Sequence, residues 1–341
     1  MARATIATIA DAAGVSTATV DRALNGRAGV SAANRQRVFN AARDLGYLPM
    51  EGMVRMPARP VRLAFLIPMG QNAFMRDITR AITEFAAALP LVEDCAILPL
   101  DGIGPDSLDR ALEALPADVA GLGVITTDHP RARRAIGRLC DGGIRVVTIA
   151  SDVMAPRKSA YVGVDNRAAG RTAAQLLGMM TGGETGSVAL FLGSHDFHGH
   201  RERAAGFLAF VAERCPGLNV LPAVETGEMA ARARTTMRGL LREVRDLRGI
   251  YCVGAGRRGI VEALEEAGLK DRRPSVVLHD LTDTSRRWLQ REQIDAVIDQ
   301  NARLVGEQAV TRVLGAIAAA SPLLSLRDIE ARVILRENLP G

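Results

Sequence analysis

The sequence predicts a small all-α unit followed by a larger two-lobed α/β unit built on parallel sheets. Three observations carry this. Short amphipathic helical patterns punctuated by glycine fill the first 47 residues, a proline-rich stretch (LPMEGMVRMPARP) covers 48–60, and beyond it apolar strand-like runs alternate with helical ones. At 341 residues the chain is too long for one ordinary core and fits one small domain plus two medium ones.

Helices are expected over Ile6 to Ala13, Ser16 to Leu24 and Ser31 to Leu45, with Gly14 and Gly26 between them. Thr5 and Ser31 suit N-cap positions, and Ser16 caps the second helix, because a short hydroxyl side chain accepts from an otherwise unpaired N–H. A tight turn at Ala13, Gly14 and Val15 sets the first two helices at a steep angle. Ile9, Ala10, Val15, Val20, Leu24, Val38, Ala42 and Leu45 form the expected mini-core, small enough to be marginal alone. Three prolines and a glycine mark Leu48 to Pro60 as a linker.

After the linker come VRLAFLIPM and a helix from Met75 to Leu89, CAILPL and a helix from Pro105 to Leu115, then GLGVIT and a helix from Pro130 to Asp141. RVVTIAS, SVALFLG, IYCVGA, SVVLHD and IDAVID continue the series. Continuous apolar strands separated by helices indicate parallel βαβ units, and ligands bind such sheets at the carboxyl ends of the strands. The two lobes are expected at about 61–161 with 291–320, and 162–290 with 321–341.

Composition narrows the class. With 48% hydrophobic and 24% charged residues the chain reads as soluble and globular, with no membrane-spanning segment. Its start lacks the pattern of a secretory signal, so a cytoplasmic location is expected. Cys95, Cys140, Cys215 and Cys252 lie far apart without a CxxC pair, which indicates neither zinc nor disulfides. Residues 1–60 hold eight arginines against Asp11, Asp21, Asp44 and Glu51, so +4 of the net +5 charge sits there. Basicity concentrated on a small unit is the footprint of a nucleic-acid contact.

The segment TIATIADAAGVSTATVDRALNGRAGVSAANRQRVFNAARDLGYLP resembles the N-terminal helix-turn-helix of the lactose-repressor (LacI/GalR) family along its whole length. The resemblance lies in AxxAGVSxxTV through the turn, RxLNG after the second helix, VS before the third and LGYLP closing it. It implies an all-α helix-turn-helix domain at 1–48, a hinge at 49–60, and a two-lobed α/β periplasmic-binding-protein-like domain with parallel sheets at 61–341 that binds an effector and dimerises. Thr17, Ala18 and Arg22 take the positions that reach base edges in the major groove, where Arg22 can pair bidentately with guanine. Ser16, Thr19, Asn25, Ser31, Asn34 and Tyr47 are then expected near phosphates and Thr5 among the DNA-binding residues, with capping and turn chemistry as their alternative use. Met56 falls at the position of the family's minor-groove leucine, although Gly52 and Pro57 disfavour a hinge helix there.

From Val61 onward the chain resembles the family's sensor through YVGVDNRAAGRTAAQLL, RAAGF at 203–207 and IDAVIDQNARLVGEQAV. The resemblance carries Arg203, Asp280 and Gln300 over as effector-binding residues, with Asn72, Phe74, Asp128, Asp152 and His195 at other strand ends. Carboxylates, an amide and an arginine in one cleft suit a sugar or polyol, with Met229 or Phe197 supplying a stacking surface and a purine or an amino acid as the alternative ligands. GAGRRG at 254–259 satisfies GxGxxG spacing, with Asp280 about twenty residues on. Its late position and the lack of a catalytic set argue against a nucleotide cofactor, and the resemblance implies that this turn lines the ligand cleft. His195, His198, His200 and Asp196 have no specific metal spacing. The expectation is therefore a DNA-binding transcription regulator of the repressor type. It would be a homodimer on a near-palindromic double-stranded operator, without cofactor, metal, membrane contact or catalysis. An exported solute-binding protein and a nucleotide-cofactor enzyme are the disfavoured alternatives.

Overall fold

The computed structural model describes residues 5–24, 29–45, 57, 59–70, 72–269, 273–318 and 329–340. The N-terminal unit consists of α1 (Ile6–Ala13), α2 (Thr17–Leu24) and α3 (Ala32–Asp44). Thr5 caps α1 through a reciprocal box with Thr8, and Gly14 ends it at φ 60°, a left-handed conformation natural to glycine. Ser16 and Ser31 accept from the N–H groups of Thr19 and Asn34, both at 3.2 Å, as their placement before α2 and α3 required. Ile9, Ala10, Ala13, Val20, Ala23, Val38, Ala41 and Ala42 are buried together, with Val15 and Leu24 against them. Leu45 departs from expectation: it lies just past the end of α3 and is 42% exposed.

The first large lobe runs β1 (Val61–Pro68), α4 (Ala73–Ala87), β2 (Val92–Leu100), α5 (Pro105–Glu113), β3 (Val119–Val124), α6 (Pro130–Asp141), β4 (Arg145–Ile149) and β5 (Ala160–Val162). The second runs α7 (Asn166–Met180), β6 (Gly186–Leu192), α8 (His198–Arg214), β7 (Leu218–Val220), β8 (Val224–Glu225), α9 (Ala230–Glu243) and β9 (Leu247–Cys252). It continues with α10 (Arg257–Ala267), β10 (Ser275–His279), α11 (Asp283–Gln290) and β11 (Ala296–Asp299). Last come α12 (Ala302–Ala318) and β12 (Arg332–Ile334).

The strands form a sheet of order β2-β1-β3-β4-β5 and another of order β12-β11-β10-β9-β6-β7, with β8 beside β6. All pairings are parallel except β11 with β12. β1 shows why the apolar runs were continuous: Leu63, Phe65 and Ile67 face a core that reaches into both lobes, while Ala64 and Leu66 face a separate cluster with α5 and α6. Because β11 pairs with β10, the chain returns to the first lobe at about Gln300, not near residue 291 as the sequence suggested. α12 then lies against α4, where Gly306 lets the helices approach closely: a Cβ there would meet the Ala81 methyl at 2.7 Å and the Ile78 carbonyl oxygen at 3.0 Å.

In each sheet the order reverses beside its first strand, β1 or β6. This leaves a crevice at the strand ends where the neighbouring connections run to opposite faces. The two crevices face one another.

Candidate functional site

A cavity of about 360 Å³ opens between the lobes at these strand ends. From the first lobe, the segments after β1, β2, β3 and β4 bring Asn72 and Phe74, Leu100 and Ile103, Ile125, and Ser151. The second contributes Phe197, His200 and Arg203 from the start of α8, Glu228 and Met229, Gly254, and Asp280 with Gln300. Five of the residues marked in the sequence, Asn72, Phe74, Arg203, Asp280 and Gln300, thus line this cavity.

Asp280 follows β10 with φ 67° and is buried. Gln300 Nε2 donates to its Oδ1 at 2.6 Å, and Arg257 Nη1 lies 3.3 Å from its Oδ2. Burial pushes this carboxyl above the usual range, against the pull of Arg257 and then Arg203. Arg257 opens α10 after Gly256, whose φ of 101° a side chain would strain. Its Nη2 donates to Asn72 Oδ1 at 3.1 Å. Asn72 also accepts from the Phe74 N–H at 3.1 Å to cap α4, and its Nδ2 donates to Glu228 Oε2 at 3.3 Å. One asparagine therefore starts a helix in the first lobe and bonds two residues of the second.

Arg203 is held from below. Its Nε donates to Asn166 Oδ1 at 2.7 Å and its Nη1 to the Val253 carbonyl at 3.0 Å. Its height is set by main chain: a Cβ on Gly170 of α7 would collide with the Arg203 carbonyl, and one on Gly206 of α8 with the Arg167 carbonyl. Each helix carries the tetrad Arg-Ala-Ala-Gly, at 167–170 and 203–206, and each glycine receives the other tetrad's first carbonyl.

Glu228, His200 and Arg257 were not picked out from the sequence as effector residues. Glu228 sits in a loop at φ 64°, just after Gly227 at φ 60°, and its Oε1 accepts from the Ala255 N–H at 3.2 Å. Burial raises its carboxyl, opposed by that N–H and by Arg257. A Cβ on Gly254 would meet Glu228 Oε1 at 2.8 Å and His200 Nε2 at 2.9 Å. The first glycine of GAGRRG thus makes room for a carboxylate and an imidazole, while Gly259 admits the Ala230 carbonyl between α9 and α10. Burial, then the Arg203 cation, pushes His200 down to about 3, so its ring is neutral at physiological pH. The sequence signal available for Glu228 was a carboxylate after glycine in a short loop, too common to single out.

Three expected residues lie outside the cavity. Asp128 is turned into the first turn of α6 by Arg133, by the Met154 N–H at 3.1 Å and by Arg201. Asp152 folds back on its own loop, accepting from Thr148 Oγ1 at 2.6 Å and the Val153 N–H at 2.8 Å. His195 is exposed, its N–H donating to Glu225 Oε1 at 2.6 Å, and Phe197 takes the lining position instead.

On the N-terminal unit, Thr17, Ala18 and Arg22 are exposed along α2, with Ala18 and Arg22 four residues apart on one face. Thr5, Ser16, Thr19, Ser31 and Asn34 all engage in capping or local bonds, including Ser16 Oγ to Thr19 Oγ1 at 2.9 Å and Arg37 Nη2 to Asn34 Oδ1 at 2.6 Å. Asn25, Tyr47 and Met56 lie outside the described residues. Among the described residues no helix is long and apolar enough to cross a membrane, and no group of three or more His, Cys, Asp or Glu could hold a metal ion.

Residues 63–320 match the family model described as periplasmic binding protein domain, and residues 5–50 match that of bacterial regulatory proteins, lacI family. Among curated relatives, the HTH-type transcriptional repressor CytR of Escherichia coli (strain K12) is 40% identical over 99 residues, 27% of this chain and 28% of CytR. The HTH-type transcriptional regulator reg1 of Streptomyces lividans is 33% identical over 218 residues, 61% of this chain and 59% of reg1. The matched stretches thus span less than two thirds of either relative. Among solved structures, GanP, a glucose-galactose binding protein from Geobacillus stearothermophilus, is 23% identical with a TM-score of 0.74, covering 83% of this chain and 100% of GanP. An ABC transporter solute binding protein from Burkholderia graminis C4D1M, in complex with D-arabinose, is 23% identical with a TM-score of 0.76, covering 83% and 97%.

Proposed function

This chain belongs to the periplasmic binding protein domain family and carries a lacI-family regulatory domain at its N-terminus, and from that premise we propose that it is a sequence-specific DNA-binding transcription regulator controlled by a small effector. In this reading the protein is a cytoplasmic homodimer of the repressor type, not an enzyme. Two copies of α2 enter successive major grooves of a near-palindromic operator. Arg22 reads guanine, Thr17 and Ala18 offer shorter contacts, and the capped helix starts at Ser16 and Ser31 face phosphates.

The effector is sugar-like or a polyol and occupies the cavity, with Arg203, Asp280, Gln300, Asn72 and Phe74 around it. The observation that carries this proposal is a cavity walled by both lobes and bridged by Asn72, in the same chain as an exposed α2 face bearing Arg22. Whatever fills such a cavity contacts both lobes at once, so it binds one lobe arrangement better than another and shifts the balance between them. Hydroxyl groups suit the wall because each can donate to a carboxylate and accept from a guanidinium.

Selection of sites from random duplex DNA by the full-length protein tests the first half. The expected result is enrichment of a two-fold-symmetric sequence, and failure to enrich any sequence would overturn it. A sugar and polyol thermal-shift panel tests the second half, since a ligand bound only to the folded protein raises its melting temperature.

A further inference from the structure

Of the charged groups that line the cavity, Asp101 is paired with Arg110, and Arg203, Asp280 and Glu228, with Arg257 beside Asp280 just outside the lining, balance in charge. Arg203 and Arg257 stand with Asp280 and Glu228, two guanidiniums with two carboxylates. His200 adds no cation near neutral pH, because its imidazole is held neutral. A buried phosphate or carboxylate on the ligand would need a further counter-charge. The GAGRRG turn supplies no phosphate cradle either: Glu228 stands against Gly254, where an incoming anion would meet like charge. What this end leaves open is an acceptor. Gln300 is 1% exposed, and its Oε1 is buried without a hydrogen-bond partner, which favours an O–H or N–H from a ligand.

Much of the remaining wall is apolar, although Asp101 and Ser151 also line it. Phe74, Leu100, Ile103 and Met75 stand on the first-lobe side, and Met69 and Met229 are large apolar side chains left 42% and 52% exposed. A bare sugar ring would press hydroxyls against these carbons and sulfurs and lose their hydrogen bonds to water without replacement.

Building on the effector reading above, we infer that the natural effector is an uncharged molecule of two parts. A hydroxylated ring sits at Asp280, Gln300 and Glu228, and an attached apolar group lies among Phe74, Leu100, Ile103 and Met229. The chemical class is a glycoside with an apolar aglycone, as opposed to a free sugar or a sugar phosphate. Thioether side chains suit the second role, being adaptable and polarizable against a ring.

The test uses the full-length protein and titration calorimetry with matched sets for several pentoses and hexoses: free sugar, methyl glycoside, phenyl glycoside and sugar phosphate. In at least one set the phenyl glycoside should bind about tenfold or more tightly than the methyl glycoside, the gain expected from burying one apolar ring. The corresponding phosphate should not bind. Met69→Ser and Met229→Ser, both at exposed positions and thus compatible with folding, should each shrink the phenyl advantage. Equal affinities for methyl and phenyl glycosides would overturn the inference and leave the sugar-effector reading standing, as would tightest binding by the phosphate. Failure of every sugar in every form would remove the effector reading and this inference with it, leaving DNA recognition untouched.

Discussion

Arg201 of the second lobe donates to the buried Asp128 of the first, Nη2 to Oδ2 at 3.1 Å. Beside it the Asp128 N–H donates to the Asp196 carbonyl at 2.8 Å, so side chain and main chain strap the lobes together outside the cavity. Asp128 is secured in its own lobe by Arg133, which donates to both carboxylate oxygens at 2.7 Å. Since the Arg201 side chain is 39% exposed, its bond contributes on the order of 1 kcal/mol or less. Arg201→Ala should leave the melting temperature nearly unchanged yet weaken any cavity ligand severalfold, because the ligand must then hold the lobes together with less help. Calorimetric titration of wild type and variant with one ligand checks this, and equal affinities would contradict it.

The same carboxylate makes an acid-sensitive prediction. Burial by itself would raise the Asp128 carboxyl, but hydrogen bonds from Arg133, the Met154 N–H and Arg201 together hold it below the usual range. A group depressed on folding contributes stability that is full above its unfolded value, about pH 4, and fades as pH falls through the folded value. Denaturant unfolding of wild type and Asp128→Asn should therefore show a stability gap near neutral pH that narrows below about pH 4. A constant gap would contradict the assignment.

Arg203→Ala should cost folding stability as well as ligand affinity. The substitution strips a donor from the Val253 carbonyl and from Asn166 in a closed environment, a loss of about 1 to 3 kcal/mol in unfolding free energy. Ligand binding should fall tenfold or more, while affinity for operator without ligand should persist. Fluorescence anisotropy on the operator, with and without ligand, separates these effects.

Arg22→Ala should weaken operator binding by about 1 to 3 kcal/mol, the worth of a bidentate base contact, and random DNA far less. Competition between operator and random duplexes at one salt concentration measures the difference. Equal losses on both would place Arg22 on phosphate and not on base.

Gly206→Ala should destabilise the second lobe by at least about 1 to 3 kcal/mol, since the added methyl meets the Arg167 carbonyl and not a yielding side chain. Chemical denaturation gives the value. A neutral result would mean that α7 and α8 can slide apart without loss.

The sequence was most legible where one physical signal repeats. Apolar runs buried on both faces located β1, β3, β4, β6, β9, β10 and β11, and α6 was delimited by proline at its start and glycine after its end. β5, β7, β8 and β12, of three residues or fewer, are too short for any period to show. Within the cavity, residues directly after strands were found when the partner that holds them lines it too, as with Asp280 and Gln300. Asp128 and Asp152 failed that test, because Arg133 and Thr148 lay within reach. Arg257 stood in the sequence only as part of the GAGRRG turn, and its reach to Asn72 across the cleft depends on a lobe arrangement that no local pattern encodes.

The paired Arg-Ala-Ala-Gly tetrads divide the recognition apparatus into a fixed part and an exchangeable one. Arg203 is placed by main chain touching main chain, so its address tolerates no adjustment, whereas Gly70, Gly102, Gly104 and Gly227, in the loops that bring Phe74, Ile103 and Met229, meet no main chain so closely. A library confined to those loops should yield sensors with altered ligand preference that still fold. One aimed at the crossing of α7 and α8 should return mostly unfolded protein. Diversification of this scaffold, in the laboratory or by descent, is thereby channelled to those loops and away from the α7–α8 crossing.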